Sequence, residues 1–165
     1  MIFSCFLMSG GMQTTEQEAD LKAAFIYNFT KYIEWDTNNT DSNFVIGIVG
    51  ASPVTASLNE IAKTNTVNNK KIIVKAFSKP EEMERCNILF IAANNPFSLQ
   101  SILDRTERGE LTVSEKAGYA KLGTAFNLII IQNKLKFEAN LKAIAEAGLK
   151  AGSQLLKLAI IVDKR

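Results

Sequence analysis

The 165-residue sequence contains no histidine. That excludes Ser-His-Asp and Cys-His nucleophilic machinery and His-ligated metal sites. Two cysteines, Cys5 and Cys86, cannot complete a zinc site between them. Three short stretches then place reactive or ligand-binding residue types close together. "EEMER" sets Glu81 and Glu84 one helical turn apart, where they could share a cation. A solvated first turn favoured by the helix dipole is the plainer reading. "LTVSEKAGY" ends a strand with Ser114 and Glu115. Ligands often sit at strand ends in α/β sheets, and a surface loop is the competing reading. "GIVGASPVTASL" carries Gly47 and Gly50 between a strand and a helix. It lacks both G-x-G-x-x-G and the Lys-Ser/Thr of a phosphate loop, so it reads as a strand-turn-helix corner. No catalytic residue, cofactor or metal ligand is assigned.

A fourth stretch, "LKAAFIYNFTKYIEW" from Leu21 to Trp35, holds five aromatic side chains in fifteen residues. Leu21, Ala24, Phe25, Asn28, Tyr32 and Trp35 recur at three- and four-residue spacing, with Phe29 and Ile33 beside them. Lys22, Lys31 and Glu34 interrupt the other side. The pattern predicts an amphipathic helix packed on a core, not a bilayer span. Asn28 falls on the apolar stripe, so its amide needs partners, either a loop backbone or a ligand.

The elements that must position these residues follow from periodicity. Strands are expected at Phe44–Val49, Lys71–Phe77, Ile88–Ala92 and Leu111–Ser114, with helices at Val54–Lys63 and Ser98–Thr106. Thr64–Asn69 reads as a loop, and Pro80–Arg85 starts like a helix. Ala125–Ile131 is apolar on both faces, as a central strand should be. Gln132-Asn133 is a two-residue turn into Lys134–Ala139, which alternates and keeps one wet face. Asn140 caps a helix over Leu141–Ala147, with Gly148 as its stop. Ser153 caps a second helix over Gln154–Val162, with Leu155, Leu156, Ala159 and Ile160 inward. The expected fold is a single α/β domain, with a mixed central sheet of about five to six strands and helices on both faces.

Charge and the N-terminus narrow the setting. With 19 basic and 17 acidic residues the net charge is +2, too balanced for a nucleic-acid binder. Ile2–Met8 is a short apolar run followed by "SGG" and polar, acidic sequence. It is too short to span a bilayer. It has the form of the late part of a secretory signal peptide whose basic start is missing. A lipid anchor through Cys5 and a disordered tail are the alternatives. Residues 1–19 are therefore read as a signal peptide or disordered segment, and 20–165 as the domain. Cys86 opens an apolar strand and is expected to be buried and inert.

In order along the chain, "LKAAFIYNFTKYIEW", "VIGIVG", "CNILFIA", "LTVSEKAGY" and "KLKFEANLKAIAEAGLKAGSQLLKLA" resemble successive parts of the YfiR-like family. The resemblance covers about Leu21 to Ala159. It implies an exported, periplasmic α/β protein without enzymatic activity or cofactor. Such a protein would bind the periplasmic sensor domain of an inner-membrane diguanylate cyclase and hold it inactive, lowering cyclic-di-GMP. Relatives beside sensor kinases and outer-membrane receptors suggest the alternative of a small-ligand-binding receptor module. Some members are dimers, so a homodimer is a further implied partner. Where members often read "AGLRISS", this chain has "AGLKAGS" from Ala147 to Ser153, which implies a looser joint. Asn28, Lys31, Trp35, Ser114, Glu115, Tyr119 and Glu138 are the candidate partner or ligand contacts.

Overall fold

The computed structural model describes residues 15–36 and 41–162. The chain opens with helix α1 (Thr15–Phe29) and a two-residue strand, β1 (Ile33–Glu34). Strand β2 (Asn43–Val49), helix α2 (Val54–Thr64), β3 (Thr66–Val67) and β4 (Lys70–Phe77) follow. After a single 3-10 turn at Pro80–Glu82 come β5 (Ile88–Ile91), α3 (Leu99–Leu103), β6 (Leu111–Ser114), α4 (Tyr119–Leu122) and β7 (Phe126–Ile131). The chain closes with β8 (Lys134–Ala139), α5 (Leu141–Glu146), β9 (Lys150–Ala151), α6 (Ser153–Leu156) and β10 (Ile160–Ile161).

Among the described residues the main sheet has eight strands, in the order β10-β8-β7-β6-β5-β2-β4-β3. The parallel run places β2 in the middle, β4 on one side and β5, β6 and β7 on the other. This is the 2-1-3-4-5 order of a flavodoxin-like doubly wound sheet. Because the sheet grows in both directions from β2 and crossovers share one hand, the connecting helices fall on opposite faces. Leu58 of α2 packs in the cluster that holds Ile46, Ile48 and Phe90. Leu99 and Ile102 of α3 pack with Val49, Leu89 and Ile91 on the other side. The class expected from the sequence holds, and the strand count is larger. The additional strands β3 and β10 are two residues long, too short for periodicity to register. A separate ribbon pairs β1 with β9, Ile33 opposite Ala151 and Glu34 opposite Lys150.

Helix α1 starts earlier and stops earlier than the aromatic pattern suggests. Its buried stripe is Ala19, Ala23, Ile26 and Phe29. Phe29 reaches the sheet, 4.6 Å from the Phe126 ring and 5.1 Å from Phe137, while Phe25 meets Phe137 at 6.3 Å. Asn28 lies off that stripe and is exposed, which corrects the expected burial. The chain then turns through Thr30–Tyr32, whose amides bond back to the last carbonyls of the helix.

Near the C-terminus the capping reading holds. Asn140 Oδ1 accepts from Ala143 N at 2.9 Å. Gly148 takes φ +72°, with its amide on Ala145 and that of Leu149 on Ile144, which is a Schellman stop. The following segment is not the expected helix. Residues 153–156 form one turn, capped by Gly152 rather than by Ser153, and Ile160 and Ile161 form β10 beside β8. Ile160 is exposed rather than inward. The "AGLKAGS" joint is a strand pairing, not a loose linker: Ala151 faces Ile33 and Gly152 N donates to the Tyr32 carbonyl at 2.8 Å.

Candidate functional site

The sequence candidates occupy three separate places. The first is a buried polar row on the α3–α4 face of the sheet. Ser114 is 0% exposed. Its hydroxyl donates to Asn127 Oδ1 at 2.7 Å and lies 2.8 Å from the Thr124 hydroxyl. With one proton, Ser114 donates to Asn127 and accepts from Thr124. Asn127 in turn donates to Glu138 Oε2 at 2.9 Å, across the β7–β8 pair. Thr112 accepts from Ala125 N at 2.8 Å next to this row. Ser114 therefore pins β6 to β7 and is not an exposed strand-end residue. Tyr119 is also inside, packed in the cluster of Leu99 and Ile102, with Lys116 Nζ 5.5 Å from its ring centroid. The expected exposure fails for both residues, because α4 folds the "KAGY" segment back onto the sheet.

The second place is the strand end itself. Glu115 Oε1 accepts from Ala93 N at 3.0 Å, and its Oε2 accepts from Lys22 Nζ at 2.7 Å. Lys22 also meets Glu18 at 2.5 Å. Burial opposes the charge on Lys22, but the two carboxylates outweigh it and raise its pKa. Glu115 is thus a clamp between α1, the loop after β5 and the end of β6, where a doubly wound fold would hold a ligand. At the opposite end of β6, the buried Glu110 accepts from Cys86 N at 2.7 Å and Glu107 N at 2.9 Å. Burial raises its pKa, and the two donated bonds work against that shift. Cys86 is buried as expected, and desolvation moves its thiol pKa far upward.

The third place is the surface at the end of α1. A groove of about 250 Å³ is lined by Phe25, Asn28, Lys31, Tyr32, Phe137 and Leu158, among others. Lys31 Nζ lies 5.1 Å from the Tyr27 ring centroid. Leu158 is 74% exposed, and Tyr32 is exposed beside it. Asn28 and Lys31 are the only two sequence candidates that meet here. Leu158 was missed because a helix running on to Val162 left it without a distinct role; the stop after Leu156 turns it out over the groove. Trp35 stands apart and half-buried: its ring meets Phe44 edge-on at 5.2 Å, and its Nε1 donates to the Asn87 carbonyl at 3.3 Å. It also lines an open cleft of about 620 Å³ in which Arg85, Arg108 and Lys150 alternate with Glu34, Asp36 and Glu107. Glu138 is half-buried on the face opposite the groove.

The arrangement provides an exposed apolar groove with a cationic rim, and buried polar groups that bond to one another. Among the described residues, no group of three or more His, Cys, Asp or Glu side chains is placed to hold a metal ion. No described helix is long and apolar enough to cross a membrane. Sequence comparison then decides the relationship: residues 19–160 match the YfiR/HmsC-like family. The chain belongs to the YfiR/HmsC-like family. The family is regulatory rather than catalytic, and its theme is periplasmic control of diguanylate cyclase signalling. The matched span runs from the second turn of α1 to the start of β10, so all three places described above lie within the YfiR/HmsC-like region. A search of curated proteins finds no match.

Proposed function

We propose that the protein is a periplasmic regulatory binding protein that represses an inner-membrane diguanylate cyclase by occupying its periplasmic sensor domain. The family match over residues 19–160 carries this reading. The groove at the end of α1 supports it with a contact surface in which Tyr32 and Leu158 are the apolar anchors and Asn28 and Lys31 the polar rim. The mechanism is stoichiometric: the regulator binds the inactive state of the sensor more tightly, and repression is as large as that difference in affinity. Export belongs to the same proposal, with residues 1–19 as the signal segment. Cleavage at Ser9–Gly11, outside the described residues, leaves α1 whole; cleavage after Ala19 removes Glu18 from Lys22. The test is affinity capture of tagged mature protein from crosslinked cell envelopes, followed by cyclase assay of the captured partner. A diguanylate cyclase repressed by the wild type but not by Leu158→Asp of equal melting temperature supports the reading. Capture of no cyclase refutes it.

A small-ligand receptor module is the second reading. The cleft at Trp35 favours it, since one aromatic face beside three cations and the carboxylates of Glu34, Asp36 and Glu107 suits a zwitterionic organic molecule. Thermal stabilisation by a small molecule from cell extract, without capture of a membrane enzyme, is its signature.

A further inference from the structure

The β7–β8 hairpin reaches beyond the sheet that carries it. Strand β7 pairs with β6 only at Phe126 and Asn127, so Leu128–Ile131 continue past the last β6 residue. Strand β8 is covered by β10 only at Glu138 and Ala139. Between these limits the two strands pair only with each other, Ile129 opposite Lys136, Ile130 opposite Leu135 and Ile131 opposite Lys134. The turn at Gln132-Asn133 takes φ +50° and +59°, a tight two-residue connection that makes a firm tip.

The chemistry of that tip does not match water. Ile130 is 47% exposed and Ile131 is 37% exposed, on opposite faces of the same strand. Lys134 and Lys136 are exposed beside them. No acidic residue occurs from Leu128 to Phe137; the first is Glu138, which Asn127 holds. Lysines on an open edge also discourage strand pairing. That account covers β8 and leaves the isoleucines of β7 unexplained. Exposed aliphatic groups ringed by cations on a projection suit a soft, negatively charged interface.

We propose that the β7–β8 tip adsorbs to an anionic lipid surface, with Ile130 and Ile131 entering the headgroup region and Lys134 and Lys136 lying against the lipid charges. The contact is reversible and weakens with salt. It is separate from the groove at the end of α1 and leaves that groove open.

Flotation of the full chain with vesicles tests this, using phosphatidylcholine alone and phosphatidylcholine mixed equally with phosphatidylglycerol. The expected result is partition to the mixed vesicles, much weaker partition to the neutral ones, and loss in high salt. Lys134→Gln with Lys136→Gln lowers partition to the mixed vesicles by roughly 25-fold, about fivefold per lysine near such a surface. Ile130→Ser with Ile131→Ser lowers it more than ~10-fold, in line with the loss of buried aliphatic area. The apolar N-terminal run is common to all variants, so a loss seen only in them belongs to the hairpin. If the isoleucine variant melts early, the lysine variant decides, because both lysines are exposed. Equal binding to both vesicle types, unchanged partition of the variants, or no binding overturns the proposal. So does a vesicle-inert protein whose tip variants lose an acidic protein partner instead.

Discussion

Replacing Ser114 by Ala separates a structural residue from a contact residue. The substitution removes a hydroxyl that donates to Asn127 at 2.7 Å and lies 2.8 Å from the Thr124 hydroxyl. Both partners are fully buried, so neither is rescued by water. Each buried polar group left without a bond costs about 1–3 kcal/mol. Thr124 can turn its hydroxyl elsewhere and Asn127 keeps its bond to Glu138, so the sum is held to ~2–4 kcal/mol. For a chain of this length each kcal/mol lowers Tm by roughly 2–4 °C, which gives a fall of ~5–15 °C. Thermal unfolding followed by circular dichroism reads the change. Asn127→Ala produces a comparable fall. The double variant falls short of the sum by about 1 kcal/mol, because the two side chains share one bond. Partner capture below the melting range is unchanged. A loss under ~0.5 kcal/mol, or a strictly additive double variant, refutes the reasoning. Lost capture at full stability restores Ser114 as a contact.

Two further outcomes follow from burial. Cys86 resists iodoacetamide at pH 8 in the native protein and reacts once denatured, since desolvation and the adjacent Glu110 keep its thiol protonated; mass spectrometry of alkylated peptides checks this, and native labelling at the rate of a free thiol contradicts it. Lys22→Met lowers Tm near pH 8, where the wild-type ammonium holds Glu115 and Glu18. The folded pKa of Lys22 is raised above 10.5, so its charge contributes stability fully below that value and loses it as pH climbs through the folded pKa. The gap in Tm between variant and wild type therefore narrows at strongly alkaline pH, and a gap that widens there is incompatible with the ion-pair reading.

Some of this fold is written locally and some is not. Strands β2, β5, β6 and β8 were legible because apolar runs or strict alternation end at glycine, asparagine or charge. The Asn140 cap and the Gly148 stop were legible because each depends on one side chain or one backbone conformation. Strand β3 was not, because Asn68-Asn69 makes the tight turn at φ +48° and +63° without the glycine that normally marks it. The segment Leu155–Ile161 suits a helix by spacing, but the open edge of β8 takes its last residues as a strand, and pairing overrides propensity. The start of α1 fell inside the segment read as a signal peptide or disordered, because Thr15–Glu18 is polar and acidic and the first buried residue after it is the small Ala19. The site suffered most. Aromatic spacing placed Asn28 on the inner face, but the stripe that packs is set by Ala23, Ile26 and Phe29, one step round the helix. Ser114 and Tyr119 looked exposed because the short α4 that covers them gives no periodic signal. Exposure depends on what lies above a residue, and that comes from distant sequence.

The position of α1 also governs how the chain reaches its native state. Phe25 and Phe29 rest on Phe126 and Phe137, and Ile33 pairs with Ala151. The first half of α1 meets α2, where Ser57 donates to Asp20 at 2.7 Å, but its aromatic end lacks its ring partners until the C-terminal hairpin has been made. Closing so long a loop is entropically costly and slow, so Phe25 and Phe29 are the last part of the helix to be covered. On the proposed export route this delay is useful: the sheet cannot close on Phe25 and Phe29 before the C-terminal strands have also crossed. Its corollary is a hazard, because truncation before β8 leaves Phe25 and Phe29 without the Phe137 ring that covers them.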